Sequence, residues 1–255
     1  VIFLRSTIFN LAFYVWTFLI GLLFPLLLLA PGRWALNIQR IWSRGIIGLA
    51  WYLAGIRYEI RGLENVPDGP VLLASKHQSV WDTMIFQTIF YEPTYVLKKE
   101  LLKIPLFGAY CLKMGMIPVD REGGGAALKQ MMLVADSRIR EGRSIIIFPE
   151  GTRMPIGKTG PYHPGVGGLY KHLGVPLVPV ALNSGLYWPR KGLLRYPGTI
   201  VVEFLPAILP GVDRRQAISH LQENIEKKTE ELCREVPKRL EASYIPPAPP
   251  PSCCG

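Results

Sequence analysis

The chain has 255 residues, enough to bury one full core with appendages. With 49% apolar and only 19% charged residues, it is not a disordered polyelectrolyte. A formal charge of +10 calls for an anionic counterpart, whether nucleic acid, lipid headgroups or a phosphorylated substrate. The four cysteines, Cys111, Cys233, Cys253 and Cys254, show no CxxC spacing and no paired framework, which argues against structural zinc or a secreted disulfide fold and for a reducing compartment. Ser252 stands fourth from the end, where prenylation would require cysteine.

The N-terminus separates the candidate partners. No charged residue occurs from 6 to 32, and the run 11–30 is almost wholly apolar, long enough to cross a bilayer. A second apolar stretch, 45–56, is too short to cross; it is expected to lie in the interface or to return as the arm of a re-entrant hairpin. A cleaved signal peptide would have a shorter apolar core, and a buried helix of a soluble protein is rarely so long. Arg33, Arg40, Arg44, Arg57 and Arg61 follow the segment and only Arg5 precedes it. By the positive-inside tendency the rest of the chain is expected on the cytoplasmic side of the inner membrane. The chain opens on Val1 and not Met, so a few residues are expected before it. A nucleic-acid partner is not expected, because the basic residues are dispersed and an apolar segment leads the chain.

Beyond residue 57 the pattern alternates. Strands are predicted at 58–62, 71–75, 94–97, 117–120, 144–148, 175–182 and 199–204, with a turn at 65–69. Helices are predicted from about Ser79, over 126–140 and, amphipathically, over 216–240, where Pro237 should kink or end the last one. The fold class is therefore α/β, with a largely parallel central sheet flanked by helices and an N-terminal membrane-embedded helical segment. The chain divides into anchoring helices (1–57), the α/β domain (58–212), a C-terminal amphipathic helix (213–241) and a Pro-rich tail (242–255) expected to be disordered.

Four segments are candidates for chemistry, and the first three follow strands, where open α/β sheets bind ligands. The first is Lys76-His77-Gln78-Ser79-Val80-Trp81-Asp82. A neutral imidazole steadied by a carboxylate can take a proton from a substrate hydroxyl. Ser79 to Asp82 also fits a helix capping box, a role expected to compete for the same carboxylate. The second runs from Gly115 to Arg121, whose guanidinium suits phosphate. It is followed by Glu122 and three glycines, though without the Gly-Lys-Ser/Thr of a phosphate loop. The third, Phe148-Pro149-Glu150-Gly151-Thr152-Arg153, sets a carboxylate, a hydroxyl and a guanidinium around a flexible glycine. Arg153 and Thr152 can bind phosphate oxygens, while Glu150 can orient an arginine or a glycerol hydroxyl. The fourth, 175–182, carries no reactive group; it reads as a buried strand whose functional part would be shaping an acyl pocket. The rival bases His163 and His172 have no acid close in sequence.

Taken in order over residues 58–210, these blocks resemble the lysophosphatidate acyltransferase family, the PlsC-type 1-acyl-glycerol-3-phosphate acyltransferases. The blocks here are His77…Asp82, Gly115…Arg121, Phe148 to Arg153, and Val175 to Val180. Lys76 departs from the Asn that the family often has before its histidine. The resemblance implies that His77 is the base and Asp82 its partner, and that Arg121, Glu150, Gly151, Thr152 and Arg153 bind the glycerol phosphate. It implies transfer of an acyl group from acyl-CoA or acyl carrier protein to the sn-2 hydroxyl of lysophosphatidate, with membrane lipids as partners and neither metal nor other cofactor. A different acceptor (glycerol 3-phosphate, a lysophospholipid with a head group, an ornithine-lipid precursor) and a non-catalytic membrane lipid-binding protein are the alternatives.

Overall fold

Strands that read as unbroken apolar runs need cover on both faces, and the protein supplies it. A computed structural model describes residues 1–120 and 123–235. Its strands are β1 (Ile56–Arg61), β2 (Leu72–Ser75), β3 (Thr94–Lys98), β4 (Ile117–Val119), β5 (Ile145–Ile147), β6 (Leu177–Leu182) and β7 (Gly198–Phe204). They form one sheet in the order β1-β7-β6-β2-β5-β3-β4. Strands β2 to β6 run the same way, and β1 and β7 run against them, so the sheet turns antiparallel where β6 meets β7. The central strands β2, β5 and β6 are buried at every position. Pro179 is tolerated inside β6 because its missing N–H falls where the ladder is interrupted, between the Val180–Phe204 pair and the isolated Leu177–Ile208 bridge, while its carbonyl still accepts from Leu205 N at 2.9 Å.

One face carries the helices α1 (Ile2–Gly21), α2 (Phe24–Leu29), α3 (Gly32–Leu49), α4 (Asp82–Ile89) and α5 (Phe107–Lys113), packed through Phe9, Ile46, Trp81 and Phe86 onto Leu73 and Val178. The other face carries α6 (Gly124–Arg140), α7 (Pro164–Leu173) and α8 (Arg214–Arg234), packed through Met131, Leu169, Leu221 and Ile225 onto Leu72 and Ala74. Leu72 and Leu73 thus enter opposite layers, as strand alternation requires. Helix α8 starts two residues before the predicted position because Asp213 caps it, accepting from Arg215 N and Gln216 N at 2.8 and 3.2 Å. Pro237 and the tail 242–255 lie outside the described residues.

The short apolar stretch at 45–56 is not a separate interfacial element. It is the end of one arm that begins at Gly32, continues through a π turn (Ala50–Ala54) and stops at Gly55, whose φ of 74° suits glycine. This arm runs antiparallel to α1, to which it is tied by Trp16 Nε1 to Trp42 O at 3.1 Å and Arg5 Nε to Leu53 O at 2.9 Å. Arg33, Arg40 and Arg44 therefore sit on an amphipathic helix whose Ala35, Leu36, Ile46 and Ile47 are buried. The segment Ile2–Leu29 is long and apolar enough to cross a membrane. Yet Ser6, Phe9 and Ile20, from the second turn of α1 to its last, are buried against the protein, while Phe3, Leu4, Leu11 and Phe18 are bare. One side of α1 is docked along the domain and the other is uncovered and apolar.

Candidate active site

Because β2 to β6 are parallel, the loops that leave β2, β4, β5 and β6 gather at one end of the sheet. The β2 and β5 loops leave adjacent strands, which brings His77 and the 148–153 segment side by side. Lys76 N still bonds Val180 O at 2.9 Å, so the chain is held straight up to the histidine.

His77 faces α4. Its Nδ1 lies 3.0 Å from Oδ2 of Asp82, the first residue of that helix. The same Oδ2 accepts from the backbone N–H groups of Gln78 and Ser79 at 2.7 and 2.8 Å. Capping and orienting were expected to compete, but a single fully buried oxygen does both. The capping box forms only in half: Ser79 Oγ accepts from Trp81 N at 3.2 Å. An ionised carboxylate can only accept, so Nδ1 carries the proton and Nε2 keeps its lone pair. The imidazole stacks on Phe148, with centroids 3.9 Å apart and planes 19° off parallel. Gln78 steadies the loop from the other side, its Oε1 accepting from Gly185 N at 3.1 Å.

The β5 loop folds back at once. Gly151 N bonds Phe148 O at 2.8 Å, closing a turn over Pro149 and Glu150, and Gly151 itself has φ of 64°. A side chain there would be strained, so Gly151→Ala is expected to cost about 1–2 kcal/mol and lower the thermal midpoint by a few degrees. An unchanged midpoint would show that the loop tolerates another backbone shape. Met154 N donates to His77 O at 2.7 Å and so ties the Arg153 end of the loop to the histidine. Thr152 is exposed and Arg153 half-buried, and among the described residues the Arg153 guanidinium has no acceptor.

Glu150, expected against the acceptor, is only 4% exposed. Its Oε1 lies 2.7 Å from Nζ of Lys76, which is fully buried and also bonds both carboxylate oxygens of Glu226 on α8, at 2.8 and 2.7 Å. Tyr162 OH donates to Glu226 at 3.1 Å, and Gly160 N to Glu150 at 3.3 Å. Burial pushes the Glu150 carboxyl above its usual value against the pull of Lys76. Burial and the two neighbouring acids hold the Tyr162 phenol far above its own, which keeps it a donor. One ammonium thus joins the catalytic loop, the 148–153 loop and the C-terminal helix.

The sequence model of the family described as Acyltransferase matches residues 57–183. The 1-acyl-sn-glycerol-3-phosphate acyltransferase of Pseudomonas aeruginosa is 39% identical over 237 residues, which cover 92% of this chain and 91% of that protein. The chain belongs to the 1-acyl-sn-glycerol-3-phosphate acyltransferase family. The mouse (Mus musculus) 1-acyl-sn-glycerol-3-phosphate acyltransferase alpha is 30% identical, over 78% of this chain and 71% of its own. The crystal structure of PlsC, the 1-acyl-sn-glycerophosphate acyltransferase of Thermotoga maritima, has the same fold with a TM-score of 0.73 at 20% identity, covering 93% of this chain and all of that one.

The other histidines of this acyltransferase family member are placed differently. His172 does meet an acid: its Nε2 lies 3.4 Å from Asp136 Oδ2, contributed by the neighbouring helix α6, on the sheet face opposite Asp82. His163 precedes α7 and lines a cleft of about 330 Å³ between the β4 and β5 loops and α6, walled by Val96, Val119, Leu128 and Met131. That cleft shares Phe148, Pro149 and Gly151 with the 148–153 loop but is lined by neither His77, Asp82 nor Arg153, and by no residue of 175–182. Arg121 lies outside the described residues. Gln78, Tyr162 and Glu226 carry no signal of a role in the sequence, and Lys76 stands out there only as a departure from the family's Asn. Among the described residues no group of His, Cys, Asp and Glu side chains is arranged to hold a metal ion.

Proposed function

We propose that this chain transfers a fatty acyl group from a thioester, of coenzyme A or acyl carrier protein, to the sn-2 hydroxyl of lysophosphatidate, giving phosphatidate. The observation that carries the reading is an imidazole whose Nδ1 is held by a buried carboxylate, beside an arginine free to meet phosphate. His77 Nε2 takes the proton of the lipid hydroxyl as its oxygen attacks the thioester carbonyl. Asp82 stabilises the imidazolium that forms. The tetrahedral adduct collapses by breaking the carbon–sulfur bond, and the departing thiolate recovers the proton from His77. No acyl-enzyme is needed.

Thr152 and Arg153, with Arg121, hold the phosphate of the acceptor, and Glu150 supports them from beneath by fixing the loop. The bare side of α1 keeps the site at the membrane where both lipids reside. The arginines that follow α1 favour the cytoplasmic side of the inner membrane. Membranes containing the protein, given lysophosphatidate with each thioester in turn, are expected to form phosphatidate with at least one. Arg153→Ala is expected to raise KM for lysophosphatidate roughly 10- to 100-fold with a smaller change in kcat, the size of a charge-assisted contact to phosphate. An unchanged KM would remove Arg153 from the phosphate site. Preference for glycerol 3-phosphate or a headgroup-bearing lysophospholipid would overturn the acceptor assignment while leaving the acyl-transfer chemistry.

A further inference from the structure

The segment from Ser184 to Arg195 connects the catalytic loop to the apolar helix in twelve residues. It starts beside Gln78, which Gly185 N contacts, and passes Trp188, whose ring packs edge-on against Phe9 of α1 at 5.0 Å. It then turns outward as Arg190-Lys191-Gly192-Leu193-Leu194 before Arg195 returns under cover, its guanidinium 4.8 Å over the Trp188 ring. The turn is strapped to α1. Ser6 Oγ both accepts from Arg195 N at 2.8 Å and donates to Arg195 O at 3.2 Å, and Asn10 Nδ2 donates to Leu193 O at 2.7 Å. The two polar side chains of α1 that make these bonds lie one turn apart on a helix otherwise almost wholly apolar.

What the turn presents is two-fold in character. Leu193 is 66% exposed and Leu194 38%, although both are apolar. Arg190 and Lys191 are exposed beside them, and among the described residues neither has a carboxylate partner. No acid occurs in residues 1–58 or 183–202, so the α1–α3 hairpin and this turn carry basic charge only. Apolar tips flanked by unpaired cations, continuous with a bare apolar helix, match the boundary of an anionic leaflet, where acyl chains lie under phosphates. A soluble protein would match the cations but would have no reason to take the α1 side chains as well.

We propose that the turn Arg190–Leu194 is a second membrane contact: Leu193 and Leu194 enter the headgroup–acyl boundary and Arg190 and Lys191 hold anionic lipid phosphates. The contact sets the height of the catalytic loop over the leaflet, since the same segment starts against Gln78 of that loop. It goes beyond the acyl-transfer reading, and its readout needs no activity, so either can fail alone.

The test uses the full chain with Cys233, Cys253 and Cys254 replaced by serine and one new cysteine, Leu193→Cys or Leu194→Cys, carrying a polarity-sensitive fluorophore. Leu11→Cys on the bare side of α1 is the control. With phosphatidylcholine–phosphatidylglycerol vesicles bearing a chain-linked nitroxide, the labels at 193 and 194 are expected to shift to the blue and be quenched as the control is. Arg190→Ser with Lys191→Ser is expected to lower affinity for these vesicles roughly tenfold and leave affinity for pure phosphatidylcholine unchanged. A quenched control with labels at 193 and 194 that stay as in buffer would overturn the proposal. So would equal loss of affinity on both vesicle types, or shielding of the labels by an acidic carrier protein without lipid quenching.

Discussion

His77→Ala is expected to lower kcat by about a thousandfold while the protein still folds and reaches the membrane, because general-base catalysis is worth about that much. The imidazole is mostly buried, but it makes one side-chain hydrogen bond and one ring stack, so its loss leaves a small void and no stranded donor. Asp82→Asn is the more discriminating change. One oxygen serves all three donors, so an asparagine that keeps Gln78 N and Ser79 N sets its own oxygen there, with its amide in the place of Oδ1, which has no partner among the described residues. The helix start and the loop keep their backbone partners, and His77 Nδ1 keeps its acceptor. What is lost is the negative charge that stabilises the imidazolium formed as the base takes its proton. Activity is expected to fall about a thousandfold or more with a thermal midpoint close to the parent's. Near-normal turnover with a lowered midpoint would leave Asp82 as a cap alone. Turnover by purified His77→Ala at the parental rate would end the assignment of the base.

The second large effect is expected on stability. Lys76→Met removes the single cation from a buried site that keeps two carboxylates, Glu150 and Glu226. Breaking a buried ion pair from one side costs about 3–5 kcal/mol, because the partner charge stays behind without compensation. For a chain of this size the thermal midpoint is expected to fall by roughly 10 °C. The triple variant Lys76→Met, Glu150→Gln, Glu226→Gln carries no net charge into the site and is expected to regain most of that loss. If the single variant melts with the parent, the three groups do not form one buried unit. If the triple variant melts no higher than the single one, packing by the lysine stem and not charge is what the site requires.

Much of this was legible in the residues. The apolar runs at 71–75 and 144–148 carry no alternation and announce a sheet covered on both faces, and the polar clusters directly after them announce where its loops converge. His77 and Asp82 are five apart, so a single helix start brings them together, and local spacing suffices to see it. Glu226 could not be seen in the same way. It meets Lys76 across 150 residues, and a lysine in a sequence looks like a solvated charge until the fold buries it. Likewise the long arm from Gly32 was cut in two by its arginines, because a span-seeking eye reads charge as an ending. The helix continues because Arg33 and Arg44 lie exposed on it, while Arg40 is satisfied against α4 by the carbonyls of Gln87 and Phe90 at 3.0 and 2.7 Å. His172 reads as solitary for the reason Glu226 reads as irrelevant: its acid comes from another helix.

Lys76 and His77 are consecutive, yet one side chain goes to α8 and the other to α4. Their separation is a matter of parity along β2. Inserting or deleting one residue between Val71 and Ser75 would exchange the two, driving the imidazole among acids and the ammonium toward Phe148. The length of this one short strand is therefore as strict a requirement as the identity of the residues after it, whereas the 63–70 connection ahead of it can lengthen without changing which way either points.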